Sequence, residues 1–119
     1  MITTFENITQ ELSEEELRLV PVIVHSFRHY KKTNPIKADL IVSRMNTYLE
    51  SKGIKTRMNQ PRLRKIVNYI RTNGLLPLIA TSNGYFTSDN PVDILDQIKS
   101  LQERANSIER CAIGLRKFL

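Results

Sequence analysis

A few side chains in this sequence belong to types that support catalysis or metal binding. His25 and His29 stand four residues apart, a spacing that could hold a metal, but no third ligand is apparent nearby and no glutamate lies between them. Glu14, Glu15 and Glu16 could form an acid cluster, yet they suit a helix start better. Cys111 is the only cysteine, and no glycine-rich phosphate loop occurs. We therefore expect no enzyme activity, no cofactor and no metal.

Basic residues are concentrated in the middle of the chain. The formal net charge is +6. Residues 1–27 contribute −4, residues 28–71 contribute +10 from twelve bases and two acids, and residues 72–119 contribute zero. A block of this sign favours a polyanion, because each phosphate neutralised by lysine or arginine releases condensed counterions. The alternative is a solvated basic face with no partner.

Length and composition limit the architecture. A chain of 119 residues with 40% hydrophobic content can bury one core of ordinary size. We predict a polar lead-in over residues 1–12, one domain over residues 13–88 and a C-terminal helix over residues 89–119. No apolar run approaches the roughly 20 residues of a membrane span, and residues 1–10 do not resemble a targeting signal. We expect a soluble, cytoplasmic protein.

The first predicted helix begins at an N-terminal cap. Ser13, with Glu16 three residues later, has the form of a capping box. Helix 1 should end near Tyr30. Pro21 lies inside the pattern, so either the helix starts later or it bends there. The predicted buried positions recur at steps of three and four, and are Leu17, Val20, Val24 and Phe27.

A second and a third helix follow. Helix 2 should run from Ile36 or Lys37 to Lys52, with an inner face formed by Ile41, Met45, Tyr48 and Leu49. After a short connection over residues 54–58, Asn59 or Gln60 caps helix 3, which has Pro61 in its first turn and ends at Gly74. Its buried stripe is predicted to be Leu63, Ile66, Val67 and Ile70.

Strand-like periodicity then replaces helical periodicity. Residues 76–81 and 85–87 flank Ser82-Asn83-Gly84, and an Asn-Gly pair between two such runs is a strong hairpin signal. A type I′ turn with positive φ at both Asn83 and Gly84 is the expected geometry. Pro77 is tolerable near a strand start. We predict a two-stranded wing.

The last predicted helix carries a heptad seam. Asn90 caps it and Pro91 occupies its first position. Carried to Leu119 it would be roughly 40 Å long, more than a small domain usually covers. It could pack back on helix 1 or pair with a second copy, and we favour a homodimer. The seam comprises Ile94, Ile98, Leu101, Ala105, Ile108, Ala112 and Leu115, with Leu119 at its end.

Three stretches carry a family resemblance, namely residues 60–74, 75–80 and 82–86. Together with the order helix, helix, helix, hairpin, they resemble the winged helix-turn-helix family, most closely its biotin-repressor-like branch. The resemblance covers residues 36–88 and implies that the third helix enters the major groove of DNA while the wing touches the backbone or minor groove. The turn over residues 54–58 is longer than in compact members. The whole chain is also similar to small proteins encoded by phages or mobile elements.

Helical geometry agrees with this resemblance. With the apolar stripe of helix 3 facing inward, Lys65, Asn68 and Thr72 should point directly outward. The side chains expected to read DNA bases are Gln60, Arg64, Lys65 and Asn68. Those expected to contact the DNA backbone are Lys37, Arg44, Lys55, Arg57, Arg62 and Arg71, with Ser82, Asn83 and Tyr85 at the wing.

These observations predict a double-stranded DNA-binding protein that acts as a transcriptional regulator or replication accessory factor. The alternative is a winged-helix interaction module that docks on a polymerase, a helicase or another nucleoprotein subunit. Both hypotheses share the same fold, namely a mainly α-helical chain with three helices, a two-stranded wing and a long C-terminal helix.

Overall fold

The computed structural model describes residues 11–119, and this part of the chain contains four helices and one antiparallel hairpin. The predicted winged helix-turn-helix order with a long C-terminal helix is confirmed. The division between two compact units falls between Ser88 and Asp89. Most of the predicted lead-in lies outside the described residues. The elements are α1 (Glu14–Phe27), α2 (Ala38–Ser51), α3 (Gln60–Thr72), β1 (Leu78–Thr81), β2 (Gly84–Thr87) and α4 (Pro91–Arg116).

α1 begins at the predicted capping box. The Ser13 hydroxyl accepts the Glu16 N–H at 3.2 Å, and the Glu16 carboxylate accepts the Ser13 N–H at 2.9 Å. A start after Pro21 is therefore wrong, because the proline lies inside the helix. The helix ends at Phe27, earlier than predicted. There the chain tightens into turns in which the N–H groups of His29 and Tyr30 bond to carbonyls three residues back.

The buried face of α1 differs from the predicted one. Leu19, Val20, Ile23 and Phe27 are buried, whereas Leu17 is 43% exposed. The predicted inner face of α2 also needs one correction, since Tyr48 is exposed and its ring lies beside the Lys52 ammonium. The predicted stripe of α3 is confirmed. The central side chains of the core are Ile23, Phe27, Ile36, Ile41, Leu49, Leu63, Ile66 and Ile70.

The wing is attached to the chain segment that precedes α2. Ile36 and Tyr85 form an antiparallel bridge, with N–H to oxygen distances of 2.9 and 2.8 Å. This pairing was not expected from the sequence, because a single extended residue has no periodicity. It extends the hairpin, in which Leu78 pairs with Thr87 and Thr81 with Gly84. The wing and the start of α2 are thus held together by backbone hydrogen bonds.

The hairpin turn is not of the predicted type. Ser82 and Asn83 form the loop, and no non-glycine residue of the described range has positive φ. The Thr81 hydroxyl stabilises the loop by accepting the Asn83 N–H and donating to the Gly84 carbonyl, each at 3.2 Å. Gly84 opens β2 with a φ of +122°. A Cβ at that position would lie 2.5 Å from the Ile36 carbonyl oxygen, so the glycine is required by the bridge.

Replacing Gly84 with alanine should therefore cost more stability than the same change at a glycine that has a left-handed helical φ and open space around it. We expect Gly84→Ala to lower the free energy of unfolding by about 3 kcal/mol, from strained backbone and overlap with Ile36. Gly53→Ala is the matched control, because φ is +67° there and no atom lies within 4 Å; it should cost about 1 kcal/mol. Urea unfolding of both variants measures the difference, and equal losses would contradict the steric argument.

α4 runs from the Asn90 cap, whose side chain accepts the Val92 N–H at 2.9 Å, to Arg116. The predicted cap and the proline at the helix start are confirmed, and the helix ends shortly before the predicted Leu119. Every residue of the range 98–119 is exposed. Within residues 11–119, none of the helices has the length and apolar character needed to cross a lipid bilayer.

Candidate nucleic-acid interface

α3 is capped and terminated by local signals. The Asn59 side chain accepts the Arg62 N–H at 2.9 Å, and Pro61 lies in the first turn, where no N–H is needed. Gly74, with a φ of +60°, follows the helix. Because the apolar stripe of α3 is fully buried, the opposite surface of the helix faces solvent, with Arg64 and Thr72 exposed there. Gln60 is exposed at the first position of the helix.

The long turn between α2 and α3 is held by one asparagine. The Asn46 carboxamide accepts the Met58 N–H at 2.7 Å and donates to the Met58 carbonyl at 3.1 Å. The Met58 side chain is buried, and the Ile54 N–H bonds to the Leu49 carbonyl at 2.9 Å. Both ends of the turn are therefore hydrogen-bonded to α2, so the additional residues of the turn do not weaken the attachment of α3 to α2. Sequence reasoning missed Asn46.

A buried carboxylate on α1 binds two cations of α3. Glu16 accepts from Arg62 Nε at 2.9 Å and from Lys65 Nζ at 2.8 Å, and its side chain is only 3% exposed. Burial alone raises the pKa of Glu16, but hydrogen bonds from Lys65, from the Ser13 N–H and from Arg62 outweigh it and lower the pKa to about 2. Glu16 is therefore ionised in the folded protein at neutral pH, and it joins α1 to α3.

This cluster contains two predicted site residues and corrects the predicted direction of one of them. Lys65 was expected to point directly outward, but its side chain is 16% exposed and its ammonium contacts Glu16. Arg62, expected at a DNA phosphate, binds the same carboxylate and also donates to the Arg57 carbonyl at 2.7 Å. The long, flexible stem of Lys65 allows its ammonium to reach Glu16 on α1. Both side chains are thus used within the domain.

The signal for Glu16 was present in the sequence. Glu16 lies three, four and seven residues before Leu19, Val20 and Ile23, the residues that α1 buries. A carboxylate on the buried face of a helix needs cationic partners. The predicted stripe of Leu17, Val20, Val24 and Phe27 leaves Glu16 only at its edge, and the prediction gave Glu16 a role in the helix start alone, so the need for cationic partners was not recognised.

Other cations of the basic block are exposed. Lys37, Lys55 and Arg64 have no acidic partner within ion-pair distance in the described part of the chain. Lys37 lines a shallow depression together with Thr81, Ser82 and Tyr85 of the wing. These side chains keep their positive charge available to a partner.

The remaining predicted backbone-contact residues of α2 and its turn also have internal contacts. Arg44 is exposed but donates to the Tyr30 hydroxyl, and its guanidinium lies 5.8 Å from the centre of that ring. Arg57 donates to the carbonyls of Ile54 and Thr56 and lies 3.9 Å from Glu50. Both guanidiniums are therefore already positioned by the domain.

The wing packs against α3 through β1 and against α1 through β2. The Tyr85 ring packs edge-on against Phe27, with 5.5 Å between centroids, and is half-buried. Burial raises the pKa of Tyr85 above its ordinary value of 10.0, against the opposing fields of Arg71 and Arg64. Ser82 and Asn83 are exposed at the tip, whereas Asn68 and Arg71 are half-buried. Tyr85 is thus fixed by the core, and the loop residues form the accessible end of the wing.

The histidine pair has no metal-site geometry around it. His25 and His29 are exposed, and their rings meet edge to face at 5.2 Å. Across residues 11–119, no three histidine, cysteine or acidic side chains come together as a metal site requires.

The candidate interface combines exposed polar and basic side chains from the residue before α2, from the turn after α2, from α3 and from the wing tip. We define this interface as Lys37, Lys55, Gln60, Arg64, Ser82 and Asn83. Comparison of the chain with family models, curated proteins and solved structures found no match.

Proposed function

We propose that the domain over residues 13–88 binds double-stranded DNA, with α3 in the major groove and the wing tip on the backbone. The observation that carries the proposal is the charge of residues 28–71, +10 in one segment that contains α2, its turn and α3. Three cations of that segment, Lys37, Lys55 and Arg64, are exposed without an acidic partner among the described residues. An exposed basic surface beside a helix narrow enough for the major groove suits duplex DNA.

The roles of the side chains follow from their placement. Gln60 and Arg64 are exposed at the N-terminal half of α3, where side chains of a recognition helix meet base edges. Asn68 also contacts base edges in this proposal, whereas Lys65 and Arg62 bind Glu16 within the domain. Lys37, Lys55 and the wing tip contact phosphates, joined by Arg44, Arg57 and Arg71 where their guanidiniums reach the duplex. In the cell, we propose a role in transcriptional regulation or as a replication accessory factor.

A salt titration tests this function. Fluorescence polarisation with a random-sequence duplex should show an affinity that falls about 100-fold between 50 and 200 mM salt, as expected for roughly four phosphate contacts. Lys37→Ala with Lys55→Ala should reduce the slope of log affinity against log salt by about 2.

The matched control is Lys99→Ala with Arg110→Ala, which removes the same charge from exposed positions of α4. It should leave the slope unchanged. No binding at low salt would overturn the proposal and favour docking on a protein, and equal effects of both double variants would mean that net charge, not this interface, attracts the duplex. Selecting the duplexes that the wild-type protein binds from a random pool then identifies the target site.

A further inference from the structure

α4 carries an apolar stripe that is uncovered along most of its length. Its large side chains are exposed in the folded chain: Ile98 is 43% exposed, Leu101 38%, Ile108 42% and Leu115 68%. From Ile94 onward the stripe recurs at alternating steps of four and three residues. The 26 residues of α4 form a rod about 39 Å long at 1.5 Å per residue. A stripe of this length with a 3.5-residue period matches the face that one helix buries against another.

Between positions 96 and 110 the opposite surface of α4 has the composition of a solvent-facing surface, and the apolar Val92 and Ile113 lie on the same face outside this range. Seven of its residues between positions 96 and 110 are polar or charged, and they are Asp96, Lys99, Ser100, Glu103, Asn106, Ser107 and Arg110. The helix contains four acids (Asp93, Asp96, Glu103 and Glu109) and four bases (Lys99, Arg104, Arg110 and Arg116), so its net charge is zero. A second copy of α4 would therefore meet no net repulsion.

The seam is complementary to itself when one helix is reversed. If two copies run antiparallel about a two-fold axis midway between positions 105 and 108, Ala105 of one copy faces Ile108 of the other, and Leu101 faces Ala112. Every alanine then meets a large side chain, and Ile98 meets Leu115. An interface around a two-fold axis requires this self-complementarity, because the same patch lies on both sides.

Parallel pairing is less favourable for the same seam. In register, it places Ala105 on Ala105 and Ala112 on Ala112, between layers of paired leucine and isoleucine, and leaves space at both alanine layers. It adds one kind of exposed ion pair, between Arg104 and Glu109 of the other copy. A void in an apolar interface costs more than a solvent-exposed ion pair contributes, so packing decides the orientation.

We propose that the protein is a homodimer in which the seams of two α4 helices pack antiparallel. Because the chain enters α4 at Pro91, the two winged-helix domains are attached to opposite ends of the helix pair. The dimer does not depend on the proposed DNA binding; where both hold, the two domains engage a two-fold symmetric site from the ends of one rod.

The mass of the full chain in solution is the first test. Light scattering without DNA should give twice the chain mass. Leu101→Asp places a charge in the middle of the seam and should weaken the dimer at least about 100-fold. Asn106→Asp introduces the same charge at an exposed position off the seam and should leave the dimer intact. A monomeric wild type, or a larger assembly, would overturn the proposal.

Disulfide trapping tests the orientation in the Cys111→Ser background. Leu101→Cys and Ala112→Cys chains, mixed and oxidised, should form a mixed disulfide, because these positions face each other across antiparallel copies. Each variant alone should stay uncrosslinked, since its own position in the second copy is 11 residues away along the axis, roughly 16 Å, beyond the reach of a disulfide. Crosslinking of each variant with itself would establish the parallel arrangement and overturn this proposal.

Discussion

Replacing Glu16 with alanine is expected to lower the free energy of unfolding by about 3 kcal/mol, the cost of removing one partner from a buried ion cluster. The change leaves the Lys65 ammonium and the Arg62 guanidinium at the α1–α3 contact without their carboxylate. It also removes the acceptor of the Ser13 N–H. Urea unfolding at pH 7 measures the loss, with Glu14→Ala as the control.

The control separates position from charge. Glu14 lies two residues away and pairs with Arg18 at 3.8 Å, but both side chains are largely exposed. A surface pair of this kind contributes little, so Glu14→Ala should change stability by less than about 0.5 kcal/mol. Equal losses in the two variants would mean that Glu16 acts only as one more acid at the positive end of α1.

The same cluster predicts how stability depends on pH. The pKa of Glu16 is lowered from 4.5 to about 2 in the folded state, so its carboxylate stabilises the fold fully above pH 4.5. That contribution is lost as the pH falls through about 2. The difference in stability between wild type and Glu16→Gln should therefore be constant at neutral pH, shrink below pH 4.5 and vanish near pH 2. A difference that does not change over this interval would contradict ionisation of Glu16.

Two adjacent cations of α3 should respond oppositely to the same substitution. Arg64→Met removes an exposed guanidinium and should weaken duplex binding about 10-fold while leaving stability nearly unchanged. Lys65→Met removes a cation already bound to Glu16, so it should lower the free energy of unfolding by about 1–2 kcal/mol and change duplex affinity by less than about threefold. Each change removes one positive charge, so net charge is matched.

Fluorescence polarisation on a duplex and urea unfolding, applied to both variants, measure the four quantities. If Lys65→Met weakens DNA binding as much as Arg64→Met, Lys65 leaves Glu16 when the duplex is bound, and its assignment to the domain interior is wrong. The comparison uses the proteins at a temperature where both remain folded, so that loss of fold does not imitate loss of affinity.

The elements of this fold were predictable because their signals are local. The stripe of α3, its Asn59 cap and the cap at Asn90 are visible within a few residues, and the structure contains each of them. The buried face of α1 was not predictable in the same way. Between Leu17 and Val24 nearly every residue is apolar, so periodicity does not distinguish the face that packs from the face that does not.

The features that sequence reasoning missed depend on partners far along the chain. The Asn-Gly pair correctly predicted a hairpin, but Gly84 is needed for the approach of Ile36, not for a type I′ turn. Lys65 turns inward because it binds Glu16. Glu16 is buried because α1 packs through a face that its sequence periodicity did not identify. For the candidate site, composition predicted the basic segment, whereas only the packed domain distinguishes its internally bound cations from its exposed ones.

The hydrogen bonds between the Asn46 side chain and the Met58 backbone determine which positions of the turn can vary in sequence. Asn46 fixes the turn through two backbone atoms of Met58, and the exposed side chains of Ile54 and Lys55 do not contribute to these hydrogen bonds. Charge at Lys55 can therefore change over generations without altering the angle at which α3 is presented, so affinity and scaffold can evolve separately. Asn46 itself has little freedom, because aspartate offers no donor and leucine offers neither group. Selection would tolerate variation in the turn and conserve the amide that holds it.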